Sequence, residues 1–177
     1  MATAKIVLIG PESTGKSTLA KQLAEHFDAP FVSEVARDYL ESRPEMGYEW
    51  SDLEKIARLQ VKAIKEAVDL NPPILFCDTD LVTLHIWSLD KFDAAIPFVE
   101  EHLSKQPANL YLLCKPDIPW ESDPLREDAT RRDELYIWNR WVIREMNAAY
   151  VEIEGLQNHR IQQAIKVVEE FIAGRQG

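Results

Sequence analysis

Residues 8–18 read LIGPESTGKST, Leu8 to Thr18, and this stretch decides the fold. From Gly10 to Ser17 the spacing is G-x-x-x-x-G-K-S, in which each fixed residue type has a task in gripping a triphosphate. Gly10 and Gly15 let the backbone double back, so that the amides of Glu12, Ser13, Thr14 and Gly15 line a concave anion nest at a helix N-terminus. Lys16 adds a mobile positive charge for the β- and γ-phosphates. The Ser17 hydroxyl offers Mg²⁺ a hard oxygen ligand, with Thr18 beside it at the mouth of the loop. The spacing therefore encodes ATP or GTP together with Mg²⁺.

The flanking sequence agrees with that reading. Lys5 to Ile9 (KIVLI) is a short β-branched run expected to be a buried strand, and Lys16 to Phe27 places Leu19, Ala20, Leu23 and Phe27 at helical spacing. Further apolar runs recur at Pro30–Ser33, Ile74–Cys77, Leu110–Leu113 and Tyr150–Ile153, with helical patterns between them. The clearest helix is Ser51–Leu70, opening with a capping box, Ser51-x-x-Glu54. Strands alternating with helices specify βαβ crossovers, and hence a P-loop NTPase of three-layer α/β/α type with a parallel sheet covered on both faces. In such sheets ligands bind at the carboxyl ends of the strands. Two segments interrupt the alternation, Ser42–Trp50 and Lys115–Arg132. The second, containing Pro116, Pro119, Pro124 and an exposed-looking Trp120, reads as a mobile lid over roughly 115–132.

Composition narrows the partners. A chain of 177 residues with 46% hydrophobic content is expected to form one domain over 1–177 with one substantial core. A formal charge of −10 argues against a nucleic-acid backbone or an anionic membrane as partner and in favour of a small molecule. With no secretory leader and no transmembrane-length apolar run, a cytoplasmic protein is expected. Cys77 and Cys114 lie in apolar runs and read as reduced core residues. The scattered His26, His85, His102 and His159 suggest no structural metal.

The residues after each strand carry the chemistry. Glu34 stands at the end of the second strand within SEVARDYL (Ser33–Leu40), followed by Arg37 and Tyr39. A carboxylate there can orient a hydroxyl while its oxygen attacks a γ-phosphate, making Glu34 a catalytic and acceptor-binding candidate with Arg37 and Tyr39 beside it; the competing reading is a solvated helix cap. In ILFCDTD, Asp78 takes the place of the Walker-B carboxylate that serves Mg²⁺, or else a helix cap. Asp80 is either an acceptor-binding carboxylate or a plain turn residue.

Thr79 occupies the position where hydrolytic motors carry a water-activating Glu, and the guanine-reading N-K-x-D pattern is only approached, by CKPD at Cys114–Asp117. Lid arginines Arg126 and Arg131, with Arg132 next to them, could supply a catalytic cation, although neighbouring acids could equally hold them in surface ion pairs. Trp87 falls near the expected acceptor pocket. Trp120 is either a cation–π platform for a positively charged heterocycle or an anchor for the lid.

Taken together, GPESTGKSTL from Gly10, SEVARDYL from Ser33, CDTD from Cys77 and YLLCKPDIPWESDPLRE from Tyr111 resemble the ribosylnicotinamide kinase domain of NadR-type NAD-biosynthesis proteins, within the P-loop nucleoside kinase group. The resemblance runs from about Lys5 to the last helix. It implies a five-stranded parallel sheet, ATP as donor, Mg²⁺, and transfer to the ribose 5′-hydroxyl of nicotinamide riboside. By the same resemblance Lys16 and Ser17 hold phosphate and metal, Asp78 serves metal or substrate, Glu34 is the base, and Trp120 belongs with the lid. Glu154–Arg160 (EGLQNHR) resembles the loop that contacts adenine, which makes Asn158 and Arg160 nucleotide-binding candidates. NadR-type proteins add an adenylyltransferase domain and often a DNA-binding domain, for which 177 residues leave no room. Two alternatives therefore stay open: a kinase for another nucleoside or nucleoside monophosphate, and an ATP-binding regulatory module that transfers nothing.

Overall fold

The computed structural model describes residues 2–43, 47–103, 105 and 107–176. Part of the Ser42–Trp50 interruption, residues 44–46, lies outside the described residues. Five parallel strands, β1 (Ala4–Ile9), β2 (Phe31–Val32), β3 (Ile74–Asp78), β4 (Leu110–Cys114) and β5 (Tyr150–Ile153), form one sheet in the order β2-β3-β1-β4-β5. β1 lies at its centre, with Leu8 in register with Asp78 on one side and with Leu112 on the other. The loop after β1 therefore leaves from the middle of the carboxyl edge.

Alternation along β1 divides the core into two faces. Ile6 and Leu8 pack with Leu19, Ala20 and Leu23 of α1 (Lys16–His26) and with Ala164 and Val168 of α7 (Gln157–Gln176). Val7 and Ile9 face the other way, onto Val82 and Ile86 of α4 (Leu81–Phe92) and Leu135, Val142 and Ile143 of α6 (Arg132–Glu145). Ile6 to Ile9 have no exposure at all. Each such side chain contributes on the order of 2 kcal/mol of burial, which explains why both faces of this strand are apolar. A third cluster joins α2 (Val35–Glu41), α3 (Trp50–Asp69), α4 and α5 (Pro97–Leu103) around Leu53, Ile56, Leu84, Ile96 and Val99. The expected three-layer α/β/α architecture is thus present.

Several local expectations are corrected. The second strand is two residues long, because beyond Val32 the chain turns into α2. α3 starts at Trp50, not at Ser51: Glu49 is its N-cap, and Asp52, not Glu54, returns a carboxylate oxygen to the Glu49 N–H at 3.0 Å. Asp52 also accepts from the Tyr39 hydroxyl (2.7 Å), Arg43 (2.8 Å) and Lys55 (3.0 Å). The Tyr39 hydrogen bond is the largest of the influences that hold the Asp52 carboxyl well below the usual range. Cys77 and Cys114 are free and buried, and burial pushes their thiols up to about 12 and about 11. Among the described residues no helix is long and apolar enough to cross a membrane.

Candidate nucleotide and acceptor site

The loop between β1 and α1 has the backbone its sequence requires. Gly10 has φ +136°, and a Cβ there would lie 2.6 Å from the Cys114 carbonyl oxygen on the neighbouring strand. Only glycine fits. Ser13 (φ +54°) and Gly15 (φ +74°) take left-handed conformations, the geometry that turns successive N–H groups inward. The Lys16 ammonium donates to the Pro11 carbonyl at 2.7 Å and the Thr14 hydroxyl donates to the same oxygen at 2.9 Å, so the loop is closed on itself.

This loop floors a cleft of about 900 Å³ that runs from the start of α1 to the face of α4 and is covered by the irregular segment 115–131. Glu12, Ser13, Thr14, Gly15, Ser17 and Thr18 line it with Gly10 and Lys16. Glu34, Arg37 and Trp87 line it too, Glu34 within electrostatic reach of Lys16, and from the covering segment comes Arg126. Asn158 and Arg160 complete the wall after β5. Arg160 is buried, with its guanidinium engaged by the Gly155, Thr14 and Lys115 carbonyls and by Asp117, so it buttresses the loop.

Glu34 is partly buried at the N-terminus of α2, and its side chain makes no capping bond. Glu34 is thus the N-cap residue of α2 by position but makes no side-chain cap bond, and it lines the cleft. Burial pushes its pKa up from 4.5 and Asp78 and Glu12 push the same way, while Lys16 and Arg37 oppose them. Asp78 ends β3 beside the loop, 2% exposed, and its Oδ1 has no partner among the described residues. An orphaned carboxylate oxygen is chemically suited, together with a hydroxyl such as that of Ser17, to a hard cation such as Mg²⁺.

The covering segment is tied to the phosphate loop. Glu12 Oε2 accepts the backbone N–H groups of Glu127 (2.9 Å) and Asp128 (3.2 Å), and Ser13 Oγ accepts that of Glu121 (2.8 Å). Arg132 bridges the Ser13 and Ile118 carbonyls at 3.1 and 2.9 Å. On the opposite side Lys91 meets Asp128, Asp90 and Glu127 within 3.1 to 3.4 Å. Burial works against the Lys91 charge, but these carboxylates outweigh it and raise its pKa.

Asp78 is not among the residues that line the cleft, and four further sequence candidates lie elsewhere. Asp80 is buried as the N-cap of α4, accepting from Val82 N–H (2.9 Å) and the Tyr111 hydroxyl (2.8 Å), so it pins α4 to β4 and does not line the cleft. Thr79, at φ +67°, makes the turn that separates it from Asp78. Tyr39 is spent on Asp52. Arg131 is held by Asp90 (2.6 Å) and Glu134 (2.8 Å), which realises the ion-pair reading. Trp120 packs under the Arg132 guanidinium, 5.8 Å from ring centroid to Cζ, and is not in the cleft wall.

Other wall residues escaped the sequence reading. Thr83, Ile86 and Asp90 join Trp87 at helical spacing on one face of α4, and Leu135 and Asn139 lie one turn apart on α6. Tyr48 accepts from the Trp87 indole at 3.1 Å, their rings edge to face at 5.0 Å. The helical spacing after Asp78 was the available signal.

Residues 5–160 match a family model described as an AAA domain. The trifunctional NAD biosynthesis/regulator protein NadR of Salmonella typhimurium is 31% identical over 178 residues, covering 97% of this chain and 43% of NadR. The chain thus spans less than half the length of that relative. A crystal structure of NadR protein in complex with NR superposes with a TM-score of 0.81 at 22% identity, covering 97% of this chain and 52% of that one. A NadR structure in complex with NAD and AMP-PNP gives 0.75 at 20% identity, covering 97% and 50%. At these identities the structures establish the fold, that of P-loop kinases.

Proposed function

The chain belongs to the AAA-domain family, and from that premise we propose that its cleft transfers the γ-phosphoryl group of ATP to the 5′-hydroxyl of nicotinamide riboside, giving nicotinamide mononucleotide and ADP. The observation that carries the reading is Glu34, which makes no side-chain cap bond and lines the same cleft as the phosphate loop, within electrostatic reach of Lys16. The NadR likeness, including a structure with NR bound, supports the choice of acceptor.

In this reading the nest amides and Lys16 receive the β- and γ-phosphates, Lys16 exchanging the Pro11 carbonyl for phosphate oxygens. Glu34 orients the 5′-hydroxyl and takes its proton as the new O–P bond forms and the bond to the β,γ-bridging oxygen breaks. Asp78 and Ser17 would hold Mg²⁺, which supplies charge neutralisation on the phosphate oxygens when bound. With Arg131 committed to ion pairs, Arg126 is the lid cation that faces the cleft. The segment 115–132 acts as a lid, and its ties to Glu12, Ser13 and Lys91 keep water out.

Charge at the acceptor end favours a nucleoside over a nucleoside monophosphate. Arg37 is matched by Asp123 and Glu41, and Lys91 by three carboxylates. An incoming phosphate would have to break these pairs, whereas a cationic pyridinium ring would meet an environment rich in carboxylates. The same proposal takes residues 1–177 as one kinase domain working in the cytoplasm on a small molecule, without nucleic acid or membrane.

The test is incubation of purified protein with nicotinamide riboside and Mg-ATP, followed by mass spectrometry. Mononucleotide and ADP should appear one for one. ATP consumed with the riboside unchanged would reject this acceptor.

A further inference from the structure

Glu12 carries a carboxylate in the middle of a loop shaped to receive phosphates, where a negative charge works against the donor. The covering segment offsets part of that cost. Glu12 Oε2 accepts the Glu127 and Asp128 N–H groups at 2.9 and 3.2 Å. The other oxygen, Oε1, has no hydrogen-bond partner among the described residues and, unlike Asp78 Oδ1, is not sealed from solvent. Glu12 lines the cleft, so Oε1 is an open acceptor there.

The cations that share the cleft are engaged elsewhere. Lys16 donates to the Pro11 carbonyl, Arg126 to the Glu121 carbonyl, and Arg37, Arg43 and Lys91 are paired with other carboxylates. Lys16 acts electrostatically on both Glu12 and Glu34, and Glu12 acts on Glu34. Burial raises the Glu12 pKa, and the two N–H groups of the covering segment oppose it. Both carboxylates thus border the ammonium that receives the γ-phosphate. An acceptor whose hydroxyl reaches Glu34 and that phosphate brings its sugar ring into the neighbourhood of Glu12. An ionised carboxylate only accepts hydrogen bonds, and beside a phosphate a neutral donor suits it; a sugar hydroxyl is one.

Resting on the acceptor reading above, we infer that Glu12 reads a second hydroxyl of the acceptor's ribose through Oε1 while Oε2 holds the covering segment, so that one side chain both selects a ribonucleoside and closes the site over it. That hydroxyl is the 2′ or the 3′ of the ring. An analogue lacking it leaves Oε1 without a donor beneath the closed segment, and is rejected for that reason. The coupling is reciprocal. The hydroxyl that Glu12 holds also fixes the carboxylate on which the Glu127 and Asp128 N–H groups rest, and so slows opening.

The experiment compares nicotinamide riboside, cytidine, and the 2′-deoxy and 3′-deoxy analogues of each. Binding is measured by calorimetry with AMP-PNP and Mg²⁺, and turnover with Mg-ATP, for the native protein, Glu12→Ala and Glu12→Gln. In the native protein, removing one of the two hydroxyls should lower kcat/KM roughly 10- to 100-fold, the effect of losing a bond to a charged group, and which one identifies the hydroxyl. In Glu12→Ala the same removal should cost less than about threefold. Glu12→Gln keeps the shape and one acceptor oxygen, should give an intermediate ratio, and keeps the comparison readable if the alanine chain folds poorly. Amide hydrogen exchange at Glu127 and Asp128 adds a readout that a merely structural Glu12 would not move. With AMP-PNP bound, the intact riboside should slow that exchange by about fivefold or more, and the saturating deoxy analogue should not.

Equal turnover of all the sugars by the native protein, as would follow if Oε1 met a cation, overturns the inference. So does a hydroxyl loss that costs Glu12→Ala as much as it costs the native chain. Either result leaves phosphoryl transfer to a nucleoside standing. Hydroxyl-dependent binding without phosphorylation upholds the role of Glu12 and overturns the kinase reading, while hydroxyl dependence in the cytidine series alone upholds it and overturns nicotinamide riboside as acceptor. Absence of binding by every sugar overturns both.

Discussion

Replacing Glu34 with Gln separates the chemistry of the cleft from its architecture. The substitution keeps the shape and one acceptor oxygen, and removes both the charge and the proton acceptor. If Glu34 takes the hydroxyl proton, kcat should fall by roughly 10²- to 10⁴-fold, the range for losing a positioned base, with the KM for ATP little changed. Stability should move the other way. Burial raises the Glu34 pKa above 4.5 in the folded protein, so folding favours the protonated form. Its stabilising effect is complete below 4.5 and is lost as pH rises through the folded value, which leaves an ionised Glu34 costing stability at neutral pH.

Removing that cost should raise the melting temperature at neutral pH. The gain should vanish in acid, below 4.5. In the native protein kcat/KM should drop on the acid side as Glu34 takes up its proton. Steady-state kinetics and thermal scans at several pH values give both readouts. A Glu34→Gln protein that turns over normally, or that loses activity and melting temperature together, refutes the reasoning.

Two further substitutions probe the loop and its cover. Glu12→Ala leaves the Glu127 and Asp128 N–H groups without their carboxylate partner, so amide hydrogen exchange across residues 121–131 should speed up about tenfold, the equivalent of about 1.4 kcal/mol. ATP should then be hydrolysed in the absence of acceptor. Unchanged exchange would mean that the carboxylate does not hold the segment down. Gly10→Ala forces a Cβ to 2.6 Å from the Cys114 carbonyl at φ +136°. Backbone strain of about 1–3 kcal/mol should lower the melting temperature by several degrees, and an unshifted melting curve would show that β1 and β4 yield freely.

The fold was readable because its signals are local. A phosphate loop needs its glycines, lysine and hydroxyl within eight residues, and five apolar runs mark five strands whatever packs on them. What escaped depends on where the chain turns. Asp78 and Asp80 look alike in CDTD, yet Thr79 at φ +67° leaves Asp78 by the phosphate loop and buries Asp80 against Tyr111. Tyr39 was claimed by Asp52, thirteen residues on, and Arg131 by Asp90 across the cleft mouth, pairings that no periodicity reveals.

The most direct measurement of the central claim is a crystal structure of the protein with AMP-PNP, Mg²⁺ and nicotinamide riboside. Lys16 Nζ should leave the Pro11 carbonyl for the β- and γ-phosphates, and the riboside 5′-hydroxyl should lie within about 3 Å of the Glu34 carboxylate. Phosphates bound away from the 10–17 loop, or a riboside whose 5′-hydroxyl points away from Glu34, would contradict it.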